Sequence, residues 1–164
     1  MLCGRTWCSA KTIGSSFATK VESELTVGLC VLDCSILAAW VLTDEASAEA
    51  DKLLEQVVVQ GAIAPSILSF EIMNVLIQAE KRGRITSAQM FAQLSLVGNL
   101  PLDIVSDPSS ASFSAIVPVA QAHSLTSYDA AYLELAMREG LPLATTDKAL
   151  RRAASKVGLA VLPS

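Results

Sequence analysis

The sequence predicts an α/β protein, a three-layer α/β/α sandwich with a mostly parallel central sheet. Short runs of apolar residues without alternation, such as 29–32 and 159–162, recur along the chain. Strands that are buried on both faces have this pattern. Segments with helical periodicity lie between these runs. Because strands alternate with helices, we expect right-handed crossovers and parallel pairing, with helices covering both faces of the sheet.

Five strands and seven helices are predicted along the chain. The strands are expected at 29–32, 62–64, 102–105, 141–145 and 159–162. The helices are expected at 36–42, 47–59, 66–81, 86–97, 108–122, 127–139 and 147–157. Ser66, Thr86 and Thr126 or Ser127 are suited to cap helix N-termini, and Gly83 and Gly140 to end helices. Pro118 predicts a kink or break in the helix that contains it.

Composition excludes several classes of protein. The chain has 164 residues, of which 52% are hydrophobic and 17% charged, so it is neither disordered nor too small to bury a core. No apolar run is long enough for a membrane span. Aromatic residues make up only 5%, which disfavours a base-stacking platform. The net charge of −4 argues against a broad basic surface, although not against a local one.

The first 28 residues differ from the remainder in being rich in Ser, Thr, Gly and Lys, with no acid before Glu22. We interpret 1–28 as a poorly ordered extension and 29–164 as a single domain; a lightly basic arm that touches nucleic acid is the alternative. The four cysteines form no CxxC pair, and His123 is the single histidine. A structural zinc site and a disulfide framework are therefore disfavoured, and we expect reduced thiols and a cytoplasmic location.

Three carboxylates stand where parallel sheets place their functional sites. Asp33 directly follows the first strand, Asp147 follows the fourth, and Asp129 lies in the first turn of a helix. Each alone is explained by helix capping, since a helix N-terminus stabilises a negative charge by about 0.3–1 kcal/mol. Helical spacing, however, places Asp129 on the same face as Leu133 and Ala136, which is the face predicted to be buried.

A fourth acid, Glu71, lies in the helix predicted at 66–81. Glu71, Asn74 and Gln78 form a polar stripe about 60° wide on a helix that is otherwise mostly apolar nearby. The stripe is either the solvent face of the helix or one wall of a polar cleft. An ordinary surface helix has a broader polar face, so a mostly buried helix beside a cleft remains open as an interpretation.

These four acids would repel one another without a cation. Carboxylates that share a site raise one another's pKa or bind a metal. A cluster of oxygen ligands without histidine or thiolate suits Mg²⁺ or Mn²⁺. Ser35, Asn74 and Thr146 are candidates to orient the carboxylates or bound water. Such a site typically activates water and neutralises a phosphate.

Four stretches of the sequence resemble a known family. They are VLDCS at 31–35, Phe70-Glu71 with Asn74, LTSYDAAYLELA at 125–136, and LATTDKAL at 143–150. Together they are similar to PIN-domain ribonucleases, in particular the VapC-type toxins of bacterial toxin–antitoxin pairs, over about 29–162. Members of that family usually begin just before the first strand, so the extension has no counterpart. Cys34 stands where small residues are common.

The resemblance implies a PIN-like fold and a Mg²⁺- or Mn²⁺-dependent endoribonuclease that forms homodimers. Asp33, Glu71, Asp129 and Asp147 match the family's acidic positions and are implied to be catalytic and to hold the metal. A VapB-like antitoxin is the implied partner, with a segment that occupies the groove and places an arginine among the acids. RNA is the implied substrate, and no membrane partner is expected.

Three basic residues are suited to bind the substrate. Lys148, Arg151 and Arg152 are candidate contacts to RNA phosphates.

A catalytically inactive PIN-like module that binds RNA or a protein partner is the alternative function. A phosphotransferase of the haloacid-dehalogenase type is disfavoured, because it needs an aspartate two residues after Asp33, where Ser35 stands.

Overall fold

The centre of the protein is a parallel five-stranded sheet. The computed structural model describes residues 28–42, 44–106 and 109–163. Within them the strands are short, each of two to four residues. They are β1 (Val31–Leu32), β2 (Ala62–Pro65), β3 (Leu102–Val105), β4 (Leu143–Ala144) and β5 (Val161–Leu162), and every pair is parallel.

The order of the strands creates a switch point at the middle of the sheet. The order is β3-β2-β1-β4-β5, so the chain builds outwards from β1 in one direction and then returns to add β4 on the other side. Leu32 pairs with Ala144 across the β1–β4 junction. The residues that follow these two strands therefore emerge side by side. Open parallel sheets bind their ligands at such switch points.

Seven helices connect and cover the strands among the described residues, which gives the predicted three-layer α/β/α architecture. In chain order they are α1 (Cys34–Val41), α2 (Ala48–Gln60), α3 (Ile67–Lys81), α4 (Ser87–Gly98), α5 (Ser109–His123), α6 (Ser127–Glu139) and α7 (Lys148–Lys156). Helix α6 packs against β1, β2 and β4, and α1 packs against α2 and α3.

Local signals at the helix ends largely act as predicted. The Thr86 hydroxyl accepts the backbone N–H of Gln89, whose own side chain accepts the N–H of Thr86, so α4 begins with a capping box. The Thr126 hydroxyl accepts the N–H of Asp129 at the start of α6. Gly140 ends α6 in the left-handed conformation, at φ +65°, which glycine adopts without steric cost.

Some predictions about the elements are wrong in detail. The predicted strands 29–32, 141–145 and 159–162 each contain only two residues in extended pairing. Ser66 is not an N-cap, because it has helical backbone angles and its side chain makes no capping hydrogen bond. Pro118 lies within α5 and does not divide it. The extension predicted at 1–28 falls, except for Gly28, outside the described residues.

The core lies between the sheet and the helices that cover it. The largest side chains that are fully buried include Tyr132, Leu32, Ile36, Leu68 and Leu150. Helix α4 contributes none that is buried, although Leu94 and Val97 pack against the edge of the core. None of the described helices is long and apolar enough to cross a membrane.

Candidate active site

Asp33 is the acid at the switch point of the sheet. It directly follows β1, and its backbone N–H donates to the carbonyl of Ala144 on β4 at 2.9 Å. The side chain is only 6% exposed. The register of β1 against β4 therefore places the Asp33 carboxylate beside the loop that follows β4.

Two hydroxyl groups hold the Asp33 carboxylate. Ser35 Oγ and Thr145 Oγ1 each donate to Asp33 Oδ2 at 2.6 Å. Both hydroxyls also accept backbone N–H groups from the β4–α7 loop, Ser35 Oγ from Thr146 and Thr145 Oγ1 from Asp147. Ser35, which the sequence indicates as an orienting residue, thus contacts Asp33, and so does Thr145, which the sequence does not indicate. Thr146 contacts Ser35 through its backbone N–H, and the roles of Ser35 and Thr146 at a metal site stay predictions.

Burial makes the Asp33 carboxylate a stronger base than an ordinary aspartate. Loss of hydration raises the pKa of Asp33, and the hydrogen bonds from Ser35 and Thr145 lower it by less. Cys34, next to it, is likewise buried, and burial, with the charges of Glu71 and Asp33 adding to it, raises the pKa of its thiol to about 12. Cys34 is therefore a neutral packing residue and not a thiolate ligand.

Glu71 extends from the first half of α3 towards α6. Its Oε2 accepts a hydrogen bond from the hydroxyl of Tyr132 on α6, which is fully buried. The sequence predicts only a packing role for Tyr132. The signal that could have identified it is its position three residues after Asp129, which places both side chains on one face of α6.

The pKa of Glu71 is affected by the charges of two of the other three predicted acids. Burial raises the pKa of Glu71, the hydrogen bond from Tyr132 lowers it, and the negative charges of Asp33 and Asp129 raise it further. Asp33, Glu71 and Asp129 come from β1, α3 and α6 and are separated by up to 96 positions in sequence. The fold thus places Asp33 and Asp129 near enough to Glu71 for their charges to act on it, and such repulsion favours a bound proton or a cation at Glu71.

Asp129 is half-buried and is held by its own helix cap. Thr126 Oγ1 donates to Asp129 Oδ2 at 2.8 Å and accepts the Asp129 backbone N–H at 3.1 Å. Arg138, on the same helix, forms ion pairs with Glu134 and Glu139.

Asp147 is tied to the start of α7. Its Oδ1 accepts the backbone N–H groups of Ala149 and Leu150, both at 2.8 Å, so in this structure the side chain acts as an N-cap. Its connection to the other acids runs through the backbone, because its N–H donates to the Thr145 hydroxyl that holds Asp33. Its role as a metal ligand stays a prediction.

The polar stripe predicted on α3 is only partly right. Glu71 and Gln78 are half-buried, but Asn74 is exposed and its side chain makes no hydrogen bond within the described part of the chain. The helix is not mostly buried, since Phe70 is 68% exposed and Met73 and Ile77 are also exposed. Only the face with Leu68, Ile72, Leu76 and Ala79 enters the core. The exposed apolar face beside Glu71 could not be distinguished from a core face by periodicity.

The basic residues proposed as phosphate contacts fall into two groups. Lys148 and Arg152 are exposed on α7. Arg151 is instead used by the fold, because its Nη1 donates to the carbonyls of Thr145 at 2.9 Å and Pro163 at 3.0 Å. It thereby fixes the backbone of the β4–α7 loop, which makes it a structural residue and a weaker candidate for binding RNA.

The arrangement and type of the acidic side chains show whether they suit a bound metal ion. Across 28–42, 44–106 and 109–163, no three Asp, Glu, His or Cys side chains are arranged so that together they could hold an ion. Mg²⁺, however, usually keeps several waters and is held by one or two carboxylates together with substrate phosphates. Asp33 and Glu71, two carboxylates coupled in charge, fit that smaller donor set.

Comparison with known proteins identifies the fold family. The family model of the PIN domain matches residues 30–156, well over half of the chain. The chain belongs to the PIN-domain family. A crystal structure, PAE2754 from Pyrobaculum aerophilum, is similar at 25% identity with a TM-score of 0.57, and the match covers 80% of this chain and 81% of that one. No curated protein matches this chain.

Membership of the family agrees with the location of the acids. PIN domains are generally metal-dependent nucleases built on a parallel sheet of this type. All four acids of the predicted set fall inside the matched residues. In this PIN domain three of the acids are electrostatically coupled, and the fourth is connected to them through Thr145.

Proposed function

We propose that this PIN domain is a metal-dependent endoribonuclease and the VapC-like toxin of a toxin–antitoxin pair. The observation that carries the proposal is the coupling of Asp33, Glu71 and Asp129. Burial raises the pKa of both Asp33 and Glu71, and the negative charges of Asp33 and Asp129 raise the pKa of Glu71 further. A protein tolerates carboxylates so placed when a cation binds among them.

The chain's own groups have distinct roles in this proposal. Asp33, Glu71, Asp129 and Asp147 would hold Mg²⁺ or Mn²⁺, with Asp33 and Glu71 as the two carboxylates that the charges couple directly. When bound, the ion lowers the pKa of a water and neutralises charge on a phosphate. Ser35 and Thr145 keep the Asp33 carboxylate in one orientation. Their hydrogen bonds to the β4–α7 loop also fix that loop beside the acids.

The charged side chains at and near the site determine which substrate and partner we propose. Lys148 and Arg152 are exposed on α7, the helix that Asp147 begins, and are suited to contact RNA phosphates. A VapB-like antitoxin with an arginine would be attracted to the acids, since a guanidinium binds carboxylates through two parallel hydrogen bonds. The proposal includes a homodimer in the cytoplasm.

An inactive PIN-like module that binds RNA or protein is the second candidate. The observation in its favour is that no group of three metal-binding side chains is ready to hold an ion among the described residues. The two candidates differ in a measurable way, because a binding module retains its partner after the acids are neutralised, whereas a nuclease loses its activity.

The deciding experiment measures cleavage of a mixed RNA with Mg²⁺ or Mn²⁺ and with EDTA. Wild-type protein is expected to cleave only with the metal, and Asp129→Asn is expected to be folded and inactive. Asp51→Asn is the matched control, since Asp51 is also an acid in the first turn of a helix but is exposed on α2. Cleavage that resists EDTA, or equal cleavage by wild type and Asp129→Asn, would refute the metal mechanism.

The toxin assignment is tested in cells. Expression of the wild-type protein in a bacterial host is expected to arrest growth, and expression of Asp129→Asn is not. Co-expression of a small DNA-binding protein from the adjacent reading frame is expected to restore growth. If the host grows normally although the expressed enzyme is active and depends on metal, the protein is a nuclease but not a toxin.

A further inference from the structure

The Tyr132 hydroxyl is a buried polar group whose hydrogen bond goes to the candidate site. The residue is 0% exposed and is the largest of the fully buried side chains. Its hydroxyl donates to Glu71 Oε2 across 61 residues of sequence. A phenylalanine would fill the same volume, and a buried hydroxyl costs free energy unless it is hydrogen-bonded. Packing alone therefore does not account for the hydroxyl.

The bond joins two helices that each carry an acid of the site. Glu71 lies in the first half of α3, and Tyr132 lies one turn after Asp129 on α6. The contact fixes the carboxylate on α3 relative to the helix that carries Asp129. Glu71 is half-buried, and among the described residues Tyr132 is the side chain that donates a hydrogen bond to it. Without this donor the flexible glutamate side chain would have several rotamers available.

We propose that Tyr132 is a positioning residue that holds the Glu71 carboxylate in the orientation needed to bind the divalent ion. The inference rests on the proposed function, because it concerns how the same site is organised. Residues of this kind orient a ligand without touching the metal, and their loss typically weakens metal affinity by 10–100-fold. Tyr132 touches neither substrate nor ion in this arrangement.

The experiment measures Mn²⁺ affinity directly by calorimetry on the full chain. Tyr132→Phe removes only the hydroxyl and is expected to bind Mn²⁺ about 10-fold more weakly, with an unchanged fold by circular dichroism. Tyr128→Phe is the matched control, because the same atom is removed from an exposed tyrosine on the same helix. In the cleavage assay Tyr132→Phe is expected to lower kcat at fixed metal and to leave KM for RNA unchanged.

A double-mutant cycle separates positioning from a general structural effect. If Tyr132 acts through Glu71, Tyr132→Phe has no further effect on Mn²⁺ affinity in a Glu71→Gln background. Losses that multiply in the double variant would overturn the inference, and so would wild-type affinity in Tyr132→Phe. Either result leaves the proposed function intact if wild type still binds Mn²⁺ and cleaves RNA. Wild-type protein that does neither overturns both.

Discussion

Thr145 Oγ1 donates a hydrogen bond of 2.6 Å to Asp33 Oδ2 across 112 residues of sequence. Both residues directly follow paired strands at the switch point of the sheet. Thr145 is 0% exposed, and its hydroxyl also accepts the backbone N–H of Asp147. One side chain therefore connects the first acid of the site to the loop that carries the last.

The first prediction concerns this hydroxyl. Thr145→Val keeps the shape of the side chain but leaves a buried carboxylate without one donor and the Asp147 N–H without its acceptor. The free energy of unfolding is expected to fall by about 1–3 kcal/mol, measured by urea denaturation. Thr145→Ser should retain most of the stability. Thr146→Val is the control, because that residue is exposed. A loss for Thr145→Ser that exceeds the loss for Thr145→Val would instead assign the effect to packing of the methyl group and contradict the prediction.

The second prediction concerns pH in the absence of metal. Burial, with the charges of Asp33 and Asp129, raises the pKa of Glu71 above its ordinary 4.5. The folded state thus binds a proton at Glu71 more tightly than the unfolded state does. The stability that this proton contributes is fully present below pH 4.5. It is lost as the pH rises through the pKa of Glu71 in the folded state. Glu71→Gln removes this loss.

The measurement for the second prediction is the free energy of unfolding of both proteins as a function of pH. The advantage of Glu71→Gln over wild type is expected to grow as pH rises above about 4.5 and to become constant above the raised pKa of Glu71 in the folded state. Glu55→Gln, which changes an exposed glutamate on α2, is the control and should show a constant difference. A difference for Glu71→Gln that is independent of pH would contradict the shift in pKa.

The third prediction concerns stabilisation by metal. An ion that binds only the folded state at 100 times its Kd adds about 2.7 kcal/mol, which raises Tm by roughly 5–10 °C in a domain of this size. Wild-type protein with Mg²⁺ or Mn²⁺ is expected to show this rise and to lose it with EDTA. Asp33→Asn should show none, whereas Asp103→Asn, an exposed acid on β3, should respond like wild type. An equal rise in Asp33→Asn would place the ion elsewhere.

The fourth prediction concerns the start of the domain. A Cβ at Gly28 would lie 2.8 Å from the backbone C and Cα of Ala62, which is too close for real side chains. Gly28→Ala is therefore expected to lower Tm, because β1 and β2 must move apart. Gly98→Ala is the control, since nothing lies within 4 Å there and alanine favours a helix. A Tm equal to that of wild type for Gly28→Ala would contradict the prediction, because it would show that residues 28 and 62 can move apart without loss of stability.

Local signals in the sequence were sufficient for the elements of the fold. Thr86 and Thr126 cap helices as predicted, and short apolar runs mark all five strands. Strand lengths were overestimated, because an apolar run also includes residues that pack without joining the ladder. Ser66 failed as a cap because its backbone is already helical, which its residue type does not reveal.

The candidate site was only partly accessible from sequence. Asp33, Glu71, Asp129 and Asp147 could be chosen because acids beside buried segments are costly. Thr145 and Tyr132 were missed, because a buried hydroxyl has the same sequence signal whether it contacts a carboxylate or the core. The exposure of Phe70 and Met73 was also missed, since helical periodicity does not reveal whether a neighbouring element covers an apolar face.

By itself the sequence determined the alternation of strands and helices, the parallel sheet and the identity of the acids, because apolar runs, caps and charges act over a few residues. The tertiary structure alone decided which acids influence one another and which hydroxyls hold them. Asp33 meets Thr145, and Glu71 meets Tyr132, only after the strand order and helix packing are in place. Hydrogen bonds and repulsion between carboxylates depend on distances of a few ångströms, and spacing along a chain does not set those distances.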